Sequence, residues 1–233
     1  MMFEAVIFDC DGVLVDSEVL AIRGERVALE SLGLHYSPED YVTRFVGLHD
    51  GLFFDQLRKD FEAAFSRAAP EDFEQRVLEG RARERHLLEP VKDADSALRK
   101  ARELGDLAIA SSSRAHFLKS KLERTGLYDL AAPHIYSADL VAHGKPAPDI
   151  FLYAAQKLGL DPCRCLVLED SANGVKAGLA AGMEVWGFTG GGHCPAGYAA
   201  RLQNAGAARV LANFADFIAA LDGRGAHENA PRS

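Results

Sequence analysis

Two aspartates one residue apart follow the first hydrophobic run of the chain. Residues 3–8 read FEAVIF, a run rich in β-branched and aromatic side chains, and Asp9 and Asp11 come after it with Gly12 behind them. The run predicts a buried strand that ends in acid. Two like charges this close are costly in a folded protein unless a cation or a shared proton compensates them. An acidic turn is the alternative, but a turn needs only one Asp beside a Gly, so the pair predicts a chemical role.

Other polar side chains follow later hydrophobic runs. Ser111 comes after the run LAIA, Lys145 lies in the loop HGKPAPD, and Glu169 with Asp170 ends the run CLVL. Because ligand sites of open parallel sheets lie at the carboxyl ends of the strands, these groups are expected to converge on one edge. Taken singly, Ser111 and Asp170 could belong to helix caps and Lys145 could be a solvated charge. Unrelated caps would not have to supply two acidic strand ends, a lysine and a hydroxyl to one crevice.

This set of groups suits phosphoryl transfer. Carboxylates without His or Cys favour a hard cation, and Mg2+ is usually bound together with phosphate oxygens. Lys145, the Ser111 hydroxyl and backbone N–H groups at helix starts would neutralise the anion. A carboxylate can itself attack phosphorus to form an aspartyl-phosphate, and a second acid one residue on can protonate the leaving oxygen and later activate water.

The elements that must position these groups follow from two kinds of sequence pattern. Between Glu18 and Leu88 the pattern is helical and contains no convincing strand, which predicts an all-helical insertion. Its helices are expected at residues 19–32, from the Ser37 N-cap onward, at 51–65 and at 71–88.

From Pro90 onward, short hydrophobic runs alternate with helical patterns. Alternation predicts an α/β fold, a doubly wound parallel sheet with helices on both faces and right-handed crossovers. The first strand belongs to this sheet, so the predicted domains are a Rossmann-like core, residues 1–16 and 88–233, and a small helical cap, residues 17–87, that covers it as a lid. The last dozen residues are predicted to be disordered.

Composition excludes several classes of protein. The 233 residues carry a formal net charge of -8, which argues against nucleic acid as a partner. No apolar run approaches the length of a membrane span, and no basic leader precedes the first strand, so a cytoplasmic protein without a membrane partner is expected. The four cysteines and eight histidines lack metal-site spacing and are interpreted mostly as packing residues. We expect a monomer or a weak homo-oligomer.

Four motifs in order resemble those of the haloacid dehalogenase-like superfamily, in the branch with a helical cap inserted after the first strand. They are DCDGVLVDSE at residues 9–18, IASSS with Ser111, HGKPAPD with Lys145, and LEDSANGVKAG at residues 168–178. The resemblance covers nearly the whole chain. It implies a catalytic role for Asp9, Asp11, Ser111 and Lys145, and Mg2+ as the cofactor.

The resemblance also implies individual roles. Asp9 would be the nucleophile and a metal ligand, and Asp11 the general acid/base whose main-chain carbonyl also binds Mg2+. Asp170 would be a further ligand, with Glu169 at or just outside the metal shell. Ser111 and Lys145 would hold the transferring phosphoryl group.

Among members of the superfamily, the acid at Asp11 favours phosphotransfer over dehalogenation. The chain resembles sugar-phosphate phosphatases, such as 6-phosphogluconate phosphatase, and β-phosphoglucomutases. The mutases carry a His on the first cap helix and an Arg in the cap loop, where this chain has Ala21 and Asp50. We therefore expect a phosphatase of a small phosphorylated metabolite, a sugar or sugar-acid phosphate. A phosphomutase and a phospho-aspartate signalling domain are the alternatives.

Substrate specificity is expected to come from the cap and from the first turns of two core helices. Hinges near residues 16–17 and 88–90 would let the cap close and exclude water. Further specificity candidates are Arg44 and Asp50. The predicted substrate-binding residues are Gly47, His49, Ser112, Arg114 and Asn173.

Overall fold

Six parallel strands form one sheet in the part of the chain that the computed structural model describes, residues 3–46, 48 and 50–228. Their order across the sheet is β3-β2-β1-β4-β5-β6, which confirms the predicted doubly wound α/β fold. The strands are β1 (Ala5–Phe8), β2 (Asp106–Ser111), β3 (Ile135–Ser137), β4 (Cys165–Glu169), β5 (Glu184–Phe188) and β6 (Arg209–Leu211). β1 and β4 are buried throughout, as expected for strands covered on both faces.

Strand β1 lies at the point where the strand order reverses. It pairs with β2 on one side and with β4 on the other, so that Phe8 is in register with Ile109 and Leu168. The three adjacent strands β2, β1 and β4 therefore end at nearly the same height in the sheet. Asp9, which follows Phe8, stands at the edge where doubly wound proteins bind their ligands.

The chain divides into two structural units, with boundaries between Asp16 and Ser17 and between Leu88 and Glu89. The helices of the insertion are α1 (Ser17–Ser31), α2 (Pro38–Phe45), α3 (Asp50–Phe65) and α4 (Phe73–Arg83). Those of the sheet unit are α5 (Ala94–Leu104), α6 (Ala115–Arg124), α7 (Tyr128–Ala131), α8 (Asp149–Leu158), α9 (Ala172–Ala180), α10 (Tyr198–Ala205) and α11 (Phe214–Glu228). Short 3-10 turns occupy Arg85–Leu87, Ala138–Leu140 and Pro162–Arg164.

Two helical boundaries differ from the sequence prediction. α4 ends at Arg83, and a separate 3-10 turn replaces the last turns of the helix expected to reach Leu88. The predicted disorder of the last dozen residues is wrong as far as Glu228, where α11 ends. Phe214, Phe217 and Leu221 anchor this helix on one buried face, and the helix continues past them. Residues 229–233 lie outside the described part of the chain.

No helix in the described residues combines the length and the apolar character needed to cross a membrane.

The helical unit has a core of its own, built around aromatic side chains and one buried acid. Tyr41 and Phe53 are both buried in this core, with their rings 6.4 Å apart. Glu25 is 5% exposed, and its carboxylate accepts hydrogen bonds from Tyr41 Oη, at 2.7 Å, and from Arg81. Burial raises the pKa of Glu25 although Arg81 opposes the shift. The pairing matters because a buried carboxylate without a partner is strongly destabilising.

Helices α1 and α4 touch backbone to backbone at two glycines. A Cβ added to Gly24 would lie 2.1 Å from the carbonyl oxygen of Gly80, and one added to Gly80 would lie 2.5 Å from the carbonyl oxygen of Gly24. We expect Gly24→Ala to force the helices apart at a cost of about 1–3 kcal/mol, more than the ~1 kcal/mol that alanine gains in a helix. Hydrogen exchange of the α1 and α4 amides would show faster opening.

The matched control for this substitution is Gly223→Ala. Gly223 is an exposed glycine in α11, and a Cβ added there would meet nothing within 4 Å. Alanine should therefore slow local opening by an amount equivalent to about 0.5–1 kcal/mol. If Gly24→Ala, like Gly223→Ala, does not speed hydrogen exchange in its helix, the close approach of α1 and α4 is not a constraint on this unit.

Candidate active site

The centre of the site is an ion pair between Asp9 and Lys145. Asp9 directly follows β1, and its backbone N–H donates to the carbonyl of Leu168 at 3.0 Å. The Lys145 ammonium donates to Asp9 Oδ1 at 2.5 Å, to Glu169 Oε1 at 2.7 Å and to the carbonyl of Ala110 at 3.0 Å. The Lys145 side chain is only 5% exposed, so the interpretation of Lys145 as a solvated loop charge is wrong.

Two more carboxylates stand beside this pair at the end of β4. One oxygen each of Asp9, Glu169 and Asp170 lies within 4.8 Å of the others, and all three residues are buried. Glu169 Oε2 also accepts from the backbone N–H of Ser171 at 2.8 Å and from its hydroxyl at 3.0 Å. The Ser171 hydroxyl accepts from Gly174 N–H at 3.0 Å, so Ser171 is the N-cap of α9.

Electrostatics in this cluster oppose ionisation of two of the acids. Burial, assisted by the charges of Glu169 and Asp170, raises the pKa of Asp9 well above its usual value although Lys145 opposes the shift. Burial also raises the pKa of Asp170, against the hydrogen bond from His193. For Lys145, burial opposes the charged form, but Asp9 and Glu169 outweigh it and raise the ammonium pKa. Burial therefore disfavours the charged forms of Asp9 and Asp170.

The cluster fits a hard divalent cation. Its donors are carboxylate oxygens, which such cations prefer, and they lie close enough to share one ion. A bound cation would favour the ionised forms of Asp9 and Asp170, which burial and the neighbouring acids disfavour. The donor chemistry of these residues is thus compatible with the predicted metal.

Asp11 turns away from the cluster toward helix α6. Ser113 Oγ donates to Asp11 Oδ2 at 2.7 Å, and the ammonium of Lys121 donates to Asp11 Oδ1 and, at 3.0 Å, to Ser113 Oγ. Both oxygens of this carboxylate therefore have a donor on or beside α6. A compact turn carries Asp11, because the N–H of Gly12 donates to the carbonyl of Val15 at 2.8 Å.

The remaining predicted site residues differ in position. Ser111 is fully buried at the end of β2, and its hydroxyl accepts from Ser113 N–H at 3.0 Å. The run of serines does not cap α6, because the backbone N–H of Ala115 instead donates to Asp139 Oδ2 at 2.7 Å. Ser112 and Arg114 are exposed where the chain enters α6, and Asn173 is half-buried in the first turn of α9. Gly47 and His49 lie outside the described residues.

Two further specificity candidates have partners within the helical unit. Arg44 donates to both carboxylate oxygens of Asp60, at 2.7 and 2.5 Å, and its guanidinium lies over the ring of Tyr36. Asp50 accepts from Arg81 at 2.9 Å. Both charges are therefore paired with side chains of this unit.

Sequence reasoning missed three side chains of this site, Lys121, Ser113 and His193. Lys121 resembles any lysine on a surface helix, and Ser113 lies in the motif IASSS, in which only Ser111 and Ser112 were given roles. His193 was interpreted as a packing residue, although it follows three glycines at the carboxyl end of β5, the same edge of the sheet. That position was the one available signal, because loops at this edge can reach the ligand site.

The fold and the site are those of a doubly wound α/β enzyme with a buried acidic cluster and a lysine at the switch point of its sheet. The sequence model of the haloacid dehalogenase-like hydrolase family matches residues 3–182. The chain belongs to this family. The match confirms the resemblance drawn from the four motifs and the prediction of a hydrolytic enzyme.

Comparison with individual proteins points to phosphatases. Hexitol phosphatase B of Escherichia coli (strain K12) is 33% identical, over 77% of this chain and 80% of its own length. The phosphorylated carbohydrates phosphatase of Thermotoga maritima is 34% identical, over 78% and 82%. A crystal structure of a haloacid dehalogenase family hydrolase from Deinococcus radiodurans R1, with bound phosphate and sodium, has a TM-score of 0.82 and 36% identity and covers 96% of each chain.

Proposed function

We propose that this protein is a Mg2+-dependent phosphatase that hydrolyses a small phosphorylated sugar or sugar acid through an aspartyl-phosphate. The observation that carries the proposal is the buried Asp9, 2.5 Å from Lys145 and next to two further acids at the switch point of the sheet. A nucleophilic carboxylate beside a fixed ammonium is what attack on a phosphate ester requires. The two related phosphatases, named for hexitol and phosphorylated carbohydrates, support a sugar phosphate as the substrate.

In the proposed first step, an oxygen of Asp9 attacks phosphorus while the bond from phosphorus to the leaving oxygen breaks. Asp11 gives its proton to that oxygen, and an alcohol departs. In the second step water attacks the phosphorus of the aspartyl-phosphate, Asp11 accepts the proton of the water, and inorganic phosphate leaves with Asp9 restored. Because Asp11 Oδ2 accepts from Ser113 and Oδ1 from Lys121, these contacts would have to loosen for proton transfer.

The other residues bind and orient. Lys145 and Ser111 would hold the phosphoryl oxygens, and Ser112, Arg114 and Asn173, with Gly47 and His49, are proposed to contact the rest of the substrate. Asp9, Asp170 and the main-chain carbonyl of Asp11 would hold Mg2+, with Glu169 at or just outside the metal shell. When bound, the cation would supply charge neutralisation for the phosphoryl oxygens and for the carboxylates.

The test is a panel of phosphorylated compounds assayed for phosphate release with Mg2+ and with EDTA. The panel contains hexitol phosphates, aldose phosphates, phosphorylated sugar acids, phosphoglycolate and nucleoside monophosphates. We expect release from the sugar or sugar-acid group, loss of release in EDTA, and recovery on addition of Mg2+. Hydrolysis that EDTA leaves unchanged would contradict the metal assignment. Isomerisation of a hexose phosphate that outpaces phosphate release would favour a phosphomutase.

A further inference from the structure

The glycine-rich loop after β5 places a buried imidazole against the acidic cluster. Residues 190–192 are all glycine, and His193 follows them. The His193 side chain is fully buried, and its Nε2 lies 3.0 Å from Oδ2 of Asp170. The ring also stands edge-on to Tyr198, with the centroids 5.8 Å apart. A buried histidine therefore contacts one of the proposed metal ligands directly.

The backbone around the ring leaves it little freedom. A Cβ on Gly191 would lie 2.9 Å from His193 Nδ1 and 2.5 Å from the carbonyl oxygen of Gly12. A Cβ on Gly12 would lie 2.7 Å from Cε1 of His193 and 2.0 Å from Asp170 Oδ2, and Gly12 has a positive φ of 78°. Because both positions are glycine, the turn at Gly12, the His193 ring and the Asp170 carboxylate can pack against one another. The N–H of Gly192 donates to Asp16 Oδ1 at 3.0 Å, which further restrains the loop.

The hydrogen bonding of the ring is one-sided. Nε2 has Asp170 Oδ2 at 3.0 Å and the sulfur of Cys194 at 3.4 Å, whereas the buried Nδ1 has no hydrogen-bond partner among the described residues. An unpaired buried nitrogen is costly, so packing by itself does not explain a histidine at this position.

We propose that His193 is a positioning residue, which donates from Nε2 to Asp170 and holds that carboxylate in the orientation needed to bind the divalent cation. The inference rests on the proposed function. Partners that hydrogen-bond metal-ligating carboxylates fix their orientation, and their loss typically weakens metal binding by about 10–100-fold. His193 would act through Asp170 and would not contact the phosphorylated substrate.

Direct binding of Mn2+ to the full-length protein, measured by titration calorimetry or by electron paramagnetic resonance, tests the proposal without an activity assay. His193→Leu fills the position of the ring with an apolar side chain of similar size and removes the Nε2 donor. We expect this variant to bind Mn2+ about 10–100-fold more weakly. His193→Gln, which can place an N–H near the position of Nε2, should recover most of this loss. The control is His134→Leu, because the His134 ring pairs with Tyr136 Oη at 2.7 Å rather than with the acidic cluster.

A second variant guards against a folding defect in His193→Leu. Gly191→Ala keeps both the imidazole and Asp170, but its Cβ would displace the ring or the turn at Gly12. We expect weaker Mn2+ binding here as well, with Gly223→Ala unchanged. Thermal unfolding in EDTA would show whether each variant is folded. In phosphatase assays, the Mg2+ concentration for half-maximal activity should rise more than kcat falls.

Several outcomes would overturn the proposal. Mn2+ binding by folded His193→Leu that equals or exceeds wild-type binding would show that the ring does not assist Asp170. Equal losses in the Leu and Gln variants would assign the effect to packing instead of to the donated hydrogen bond. If the wild-type protein releases phosphate and the variants bind Mn2+ as tightly as the wild type, the role of His193 is refuted but the proposed function is not. Wild-type protein that neither releases phosphate nor binds Mn2+ would refute the proposed function together with the role of His193.

Discussion

Replacing Asp9 by asparagine is expected to lower kcat by about five orders of magnitude or more, because loss of a covalent nucleophile removes the reaction path itself. The amide has nearly the shape of the carboxylate and can still accept from Lys145, but it cannot form the aspartyl-phosphate, which is an acyl phosphate. Steady-state phosphate release measures the rate. Acid-quenched wild-type protein should carry label from a radioactive phosphorylated substrate, and the Asn variant should carry none.

Stability should move in the opposite direction. The pKa of Asp9 is raised in the folded protein, so its ionised form costs stability at neutral pH, and the cost disappears below the usual aspartate pKa of about 3.9. Asp9→Asn removes this cost. We therefore expect thermal unfolding of the variant in EDTA at neutral pH to occur at or above the wild-type temperature.

Asp106→Asn serves as the control for both measurements. Asp106 is an exposed residue at the start of β2, the opposite edge of the sheet from the acidic cluster. Its substitution should leave both rate and stability nearly unchanged. A folded Asp9→Asn variant that hydrolyses substrate at the wild-type rate would refute the nucleophile assignment.

Replacing Lys145 by methionine is expected to affect both activity and stability. Loss of a preorganised cationic donor to the phosphoryl group should lower kcat by about 10²–10³-fold. The same change leaves Asp9 and Glu169, both buried, without their counter-charge, which typically destabilises a protein by about 3–5 kcal/mol. Phosphate release and urea unfolding measure the two effects.

A double variant separates the two effects of Lys145. Glu169→Gln in the Lys145→Met background removes one of the unpaired buried charges, so stability should partly recover while activity stays low. Lys157→Met is the matched control, since Lys157 is exposed on α8 and should change stability by no more than about 0.5 kcal/mol. Recovery of activity along with stability would show that Lys145 acts through the fold and not on the phosphoryl group.

Much of the candidate site could be predicted because short-range patterns determine where strands end. Asp9 and Glu169 each follow a hydrophobic run, and parallel pairing with right-handed crossovers brings the ends of such runs to one edge. In the structure the Lys145 ammonium lies within hydrogen-bonding distance of both Asp9 and Glu169 at this edge. Their catalytic roles remain predictions that the substitutions above test.

Other contacts could not be predicted because they depend on how each element is rotated and how each loop is routed. Lys121 reaches Asp11 across 110 residues of sequence, and only the orientation of α6 distinguishes it from an ordinary surface lysine. Arg44 is a predicted specificity residue, and the sequence did not indicate its pairing with Asp60. Charge pairs between distant residues leave no local pattern in the sequence.

Local sequence patterns were enough to predict the order of strands and helices along the chain, the helical insertion, the family and the acidic ends of the strands. These features follow from hydrophobic periodicity and from motifs within a few residues of one another. The folded structure was needed to show that Lys145 is buried, that Asp11 faces α6 and that His193 contacts Asp170. Burial and hydrogen bonding at these positions depend on side chains brought together by packing, and packing places residues by volume and orientation rather than by separation along the chain.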